Sequence, residues 1–178
     1  MIAGIDYSLS CPCLCLMSQP SIENSTFYFL TGTKKYTGSF NKGQFRGDLH
    51  QDYKTEQERY NNNAIHFFKK LGAVKKVYIE DYSFASTGRV FNLAENTGLL
   101  KHKLWESKYN TALIPPTVVK KFATGKGNAK KEQMYESFVS KTGVNLKKIF
   151  DMENQNLNSP VSDIVDAYFI ALLGWENL

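Results

Sequence analysis

Ser159-Pro160-Val161-Ser162-Asp163-Ile164-Val165-Asp166-Ala167-Tyr168-Phe169-Ile170-Ala171-Leu172-Leu173 is the stretch whose reading decides the fold. It reads as a helix. Ser159 or Ser162 can serve as its N-cap, and Pro160 suits a first turn, where no backbone donor is needed. Beyond Asp163 the segment is apolar almost all round, the mark of a buried helix. Yet Asp163 and Asp166, at i and i+3, share one face. Two like charges on a buried helix are unfavourable unless a cation compensates them. The question is which other residues hold that cation.

At 178 residues the chain suits one domain, spanning 1–178, with a substantial core. Its 42% hydrophobic and 13% aromatic content is that of a globular protein. The formal charge of +5 is unevenly spread: Thr117 to Phe150 holds eight Lys against Glu132 and Glu136. Such a basic block suits a polyanion, nucleic acid being the commonest, although a solvated helical face reads the same way. The three cysteines, Cys11, Cys13 and Cys15, alternate along one side of a strand. Their odd number and spacing argue against disulfides, and no His or further Cys completes a zinc set. They read as reduced core residues of a cytoplasmic protein. The N-terminus lacks the basic region of a signal peptide, and no charge-free stretch is long enough to cross a membrane.

Ile2–Tyr7 and Cys11–Met17 read as two strands joined by the Ser8-Leu9-Ser10 turn, and Thr26–Thr31 as a third. Gly32–Asp48 has no period and reads as a long loop. Tyr53–Leu71 is helical, with Tyr60, Ala64, Phe67, Phe68 and Leu71 at three- and four-residue steps and Gly72 as the stop. Lys76–Glu80 is a strand ending in an acid, Asp81–Gly88 a loop, and Arg89–Tyr109 a long helix. Thr111–Ile114 is a strand, Thr117–Phe122 a short helix, and Thr124–Asn128 a flexible loop. Ala129–Lys141 is a helix, and Asn145–Asn158 is polar and irregular. This order predicts an α/β fold: a mixed sheet of about five strands, the first three antiparallel, with helices on both faces.

Asp6 then ends the first strand and Glu80 the fourth. If those strands are neighbours, both acids meet at one end of the sheet, where the last helix can bring Asp163 and Asp166. Four such carboxylates cannot all stay ionised and dry, and oxygen-only ligands select Mg²⁺ or Mn²⁺. Two such ions about 3.5–4 Å apart activate water and hold a scissile phosphate. Singly, each acid also has an ordinary reading: Asp6 as a turn starter, Glu80 with Asp81 as a solvated strand end, Asp163 as a helix N-terminal acid. Asp166, deeper in an apolar helix, is the hardest to explain away.

Gly4-Ile5-Asp6-Tyr7-Ser8, Ile79-Glu80-Asp81-Tyr82 and Ser162-Asp163-Ile164-Val165-Asp166-Ala167 resemble the RuvC family of Holliday junction resolvases, which have an RNase H-like fold. A fourth segment is similar too: Pro116-Thr117-Val118-Val119-Lys120-Lys121, then Gly125-Lys126-Gly127-Asn128-Ala129-Lys130-Lys131. The four motifs fall in the family's order over essentially the whole chain. The resemblance implies that Asp6, Glu80, Asp163 and Asp166 bind two Mg²⁺, with Mn²⁺ able to substitute, and drive phosphodiester hydrolysis. It implies phosphate-contacting or transition-state-stabilising roles for Lys120 and Lys131, with Lys121, Lys126, Lys130 and Arg89 as further DNA contacts. Tyr82 or Phe84 would be the aromatic wedge that stacks on an unpaired base. A homodimer would cut opposed strands of a four-way junction; the apolar face of the Arg89–Tyr109 helix reads equally as its interface or as core. The Lys-, Asn- and Tyr-rich composition is reminiscent of bacteriophage versions, placing the protein in a bacterial or phage-infected cytoplasm.

Three other readings compete: an RNase H-type nuclease on RNA–DNA hybrid, a non-catalytic binder of branched DNA, and an actin- or kinase-like ATPase. The Asp163-x-x-Asp166 helix and the lysine segment favour the junction enzyme over the first. All four acids are present, against the second. The chain is short for two ATPase lobes and has no second glycine-rich phosphate loop.

Overall fold

The computed structural model describes residues 1–82 and 90–177. Seven strands form one sheet: β1 (Ile2–Asp6), β2 (Cys13–Met17), β3 (Ser25–Thr31), β4 (Gly38–Phe40), β5 (Phe45–Leu49), β6 (Val77–Glu80) and β7 (Thr111–Ile114). Their spatial order is β4-β5-β3-β2-β1-β6-β7. The helices are α1 (Glu56–Leu71), α2 (Val90–Glu106), α3 (Pro116–Thr124), α4 (Lys131–Thr142), α5 (Leu146–Ile149) and α6 (Val161–Glu176). None of the described helices is long and apolar enough to cross a membrane.

The first three strands pair antiparallel, as expected, while β1 and β6 run parallel with Ile5 opposite Ile79. Strand alternation sorts the central strands between two cores. Ala3, Ile5, Leu14, Val77 and Ile79 face the α1–α2 layer. Ile2, Cys13, Cys15, Met17 and Tyr78 face the layer containing α6. The three cysteines are free and buried on that second side.

Helix α6 is clamped to the sheet by small residues. A Cβ on Gly4 would stand 2.3 Å from the backbone nitrogen of Ala171, and one on Gly174 would stand 2.4 Å from the Tyr78 ring. Only hydrogen in place of those side chains permits so close an approach. Phe122 of α3 meets Phe169 at 6.5 Å, and Phe138 of α4 meets Tyr168 at 5.2 Å, so α3 and α4 flank α6.

The sequence reading needs correction at four places. The sheet has seven strands, not about five. The expected Gly32–Asp48 loop contains β4 and β5, with β5 parallel to β3 through pairs such as Phe27–Phe45. Its alternation is short and β4 lies at an exposed edge, so few apolar residues advertise it. The Asn145–Asn158 segment contains α5 and buries Leu146, Phe150 and Met152. The aromatic partners of Phe150, namely Phe29, Tyr36 and Phe40, lie far away in sequence. Finally, neither serine caps α6: Pro160 occupies the N-cap without a side-chain bond, and Ser162 lies in the first turn with its hydroxyl on Asp163 at 3.2 Å.

Candidate active site

One residue beyond the Ile5–Ile79 pair, β1 ends in Asp6 and β6 in Glu80. By alternation, Asp6 shares the side of Ile2 and Gly4, and Glu80 the side of Tyr78. That is the side α6 covers. The clamp at Gly4 and Gly174 fixes the height of α6, and its first two turns carry Asp163 and Asp166 above the strand ends. The geometric condition left open by the sequence, adjacent strands beneath the last helix, is met.

The four acids lie within one another's electrostatic field. Burial pushes Asp6 well above the usual carboxylate range, and the charges of Asp163, Glu80 and Asp166 add to this, with Lys131 opposing. Burial and then Asp166 push Glu80 up to about 8, against Lys120. Burial and then Asp163 push Asp166 up to about 7, against Lys131 and Lys120. Asp163 is raised by burial, while bonds from Ser159 and Ser162 and the charge of Lys131 hold it down. The protein alone therefore keeps part of this cluster protonated near neutral pH.

Two lysines reach the cluster from the basic block. Lys120 on α3 and Lys131 at the start of α4 line, with Glu80, Asp166 and Lys130, a cavity of about 520 Å³. Ion pairs among the described residues lie elsewhere, such as Lys35–Asp151 at 2.8 Å. Lys131 is exposed, so its ammonium remains available to a ligand. Lys121, Lys126 and Lys130 are also exposed, but Lys121 and Lys126 do not line that cavity. Lys130 and Lys131 stand at the positive end of the α4 dipole, where cations are disfavoured by about 0.3–1 kcal/mol and anions are favoured.

Across Asp6 and Glu80 lies a second cavity of about 300 Å³, walled by Tyr7, Tyr82, Val90 and Leu93. Tyr82 is half-buried there, with the Lys101 Nζ 5.5 Å from its ring centre. Phe84 and Arg89 lie outside the described residues. The sequence reading missed Ser8, whose hydroxyl donates to Asp163 Oδ1 at 3.4 Å while accepting from the Cys11 N–H at 3.2 Å. Its place two residues after Asp6 was the available signal.

Two buried carboxylates, Asp6 and Asp163, and two half-buried ones, Glu80 and Asp166, form an all-oxygen donor set, whose chemistry fits hard divalent cations. Among the described residues, however, no three His, Cys, Asp or Glu side chains stand close enough to form a finished metal cage.

No family model matches the chain, and no curated protein does either. Solved structures do. A Thermus thermophilus RuvC structure aligns over 99% of this chain and 96% of its own, at 14% identity and TM-score 0.54. T. thermophilus RuvC in complex with Holliday junction substrate aligns over 99% and 95%, at 13% identity and TM-score 0.60. The chain has a RuvC-like, RNase H-like fold.

Proposed function

We propose that this protein is a metal-dependent, structure-selective endodeoxyribonuclease that resolves four-way DNA junctions, acting as a homodimer with one active site per subunit. The observation that carries this reading is the convergence of Asp6 and Glu80, from neighbouring parallel strands, on the buried Asp163–Asp166 turn of α6. The Holliday junction bound by the T. thermophilus RuvC of like fold supports the choice of substrate.

Asp6, Glu80, Asp163 and Asp166 would hold two Mg²⁺, with Mn²⁺ as an alternative. When bound, the metal pair supplies an activated water and neutralises charge at the scissile phosphate. The protein's own residues do the rest. The α6 clamp fixes two carboxylates against the sheet, so little reorganisation remains for the reaction. Ser8 and Ser162 donate to Asp163 and orient its oxygens. Lys131 and Lys120 are placed to hold the non-bridging phosphate oxygens where charge builds up. Lys121, Lys126 and Lys130 would follow the phosphate backbone outward. Tyr82, beside the acids, offers a face for an unpaired base.

Two-fold pairing suits a nearly two-fold junction. On α2, Phe91 and Trp105 are 78% and 75% exposed, with exposed Gly98 midway at seven-residue steps. That spacing sets all three on one helix face, which we take as the dimer interface.

Digestion of a four-way junction and an RNA–DNA hybrid side by side, with Mg²⁺, tests the assignment. Junction cleavage with little action on hybrid supports it. Cleavage of hybrid alone makes the protein an RNase H-type enzyme, and binding without cleavage makes it a branched-DNA binder.

A further inference from the structure

We propose that Arg59 and His50 are positioning residues: they grip the Ser8–Ser10 turn from outside and, through Ser8, set where Asp163 stands. This rests on the nuclease reading above.

The turn follows directly on Asp6, and two consecutive carbonyls of it are taken by side chains from remote elements. Arg59, on α1, donates from Nη2 to the Leu9 carbonyl at 2.7 Å. His50, just beyond β5, has Nε2 2.9 Å from the Ser10 carbonyl, which fixes the tautomer with hydrogen on Nε2. Its Nδ1 lies 3.2 Å from the Asn63 amide oxygen, while the Asn63 amide nitrogen is buried without a partner. A half-turn of that amide gives Nδ1 a hydrogen-bond donor, so that both ring nitrogens are held. Inside the turn, Ser8 accepts from the Cys11 N–H and has its one hydroxyl proton left for Asp163. Held on both sides, Ser8 has little freedom to choose another acceptor.

Arg59 is an expensive residue for this place. Its side chain is 14% exposed, its Nε is buried without a partner, and its carboxylate neighbour Glu56 stands off at 3.6 Å. The Tyr53 ring lies 5.4 Å from the guanidinium. Burying a cation with a long ion pair, an unpartnered Nε and a hydrogen bond to a loop carbonyl gains little stability over an apolar side chain of similar size. What it gains is a fixed turn beside the acid cluster, with the donor aimed at Leu9 by the stiff guanidinium plane.

Arg59→Met, Arg59→Lys, His50→Ala and Ser8→Ala test this. In the metal-free protein, exchange of the Cys11 amide should quicken roughly tenfold in Arg59→Met, as expected for loss of a hydrogen bond from a charged donor. The Mn²⁺ concentration for half-saturation should rise several-fold and kcat on junction DNA fall, with KM unchanged. Arg59→Lys should recover part of the loss, and His50→Ala should show the same pattern more weakly. Added to Ser8→Ala, Arg59→Met should cost no further Mn²⁺ affinity. A folded Arg59→Met or His50→Ala with parental Cys11 exchange and parental Mn²⁺ titration overturns the proposal, as do losses from Ser8→Ala and Arg59→Met that simply multiply. If the parent cuts no junction while Cys11 exchange still answers to Arg59, the nuclease reading fails and the grip on the turn stands.

Discussion

Gly4 and Ala171 touch backbone to backbone: a side chain on the first would stand 2.3 Å from the amide nitrogen of the second. This contact joins the centre of the sheet to the helix that carries Asp163 and Asp166. Gly4→Ala must therefore lift α6 from β1. The expected cost is about 1–3 kcal/mol, in the range of core overpacking. Because the displacement separates Asp166 from Asp6, nuclease activity should fall further than the folded fraction does. Urea unfolding and cleavage measured on the same preparation check this; activity lost only in proportion to unfolding would refute the link.

Metal-free stability should decline as pH rises. Glu80 and Asp166 have native values of about 8 and about 7, against ordinary values of 4.5 and 3.8. Between those limits the native state holds protons that the unfolded chain has released, so its stability falls from about pH 4 to about pH 8 and then levels. Millimolar Mg²⁺ should remove most of the decline and release protons on binding near neutral pH. Asp166→Asn should flatten the metal-free profile and stabilise the protein at the alkaline end. Urea midpoints across this window decide; a midpoint that climbs with pH contradicts the shared-field account.

The lysines should separate by role. Lys131→Ala is expected to lower kcat by roughly 10²–10³, the usual cost of losing a transition-state donor. It should also move metal binding to higher pH, since Lys131 holds down Asp6, Asp163 and Asp166. Lys121→Ala and Lys126→Ala should instead weaken junction binding and reduce its salt dependence by about 0.9 per lysine, with kcat unchanged. Single-turnover cleavage and binding across a salt series distinguish the two groups.

Replacing both Phe91 and Trp105 with Ser should give a monomer by sedimentation. That monomer should nick junctions without the paired second cut. A variant that stays dimeric places the interface elsewhere.

Much of the candidate site was legible because its parts are local. Asp6 and Glu80 mark strand ends, and Asp163 and Asp166 mark a helix turn, so each declares itself within a few residues. What joined them, β1 beside β6 beneath α6, is a long-range fact that the motif order suggested only through resemblance. Strands β4 and β5 were not legible, since β4 is a short edge strand and β5 alternates exposed residues such as Arg46 and Asp48, a pattern that resembles a loop. Phe150 was hidden for a related reason: its partners Phe29, Phe40 and Phe45 come from another third of the chain. Ser8, Arg59 and His50 act through a few individual hydrogen bonds, and such bonds leave no period in a sequence.

The most direct measurement is anomalous diffraction from a crystal soaked in Mn²⁺. The account predicts two peaks about 3.5–4 Å apart, bounded by Asp6, Glu80, Asp163 and Asp166, with those side chains drawn inward. A cluster without metal, or one with the Lys131 ammonium seated between the carboxylates, would contradict it.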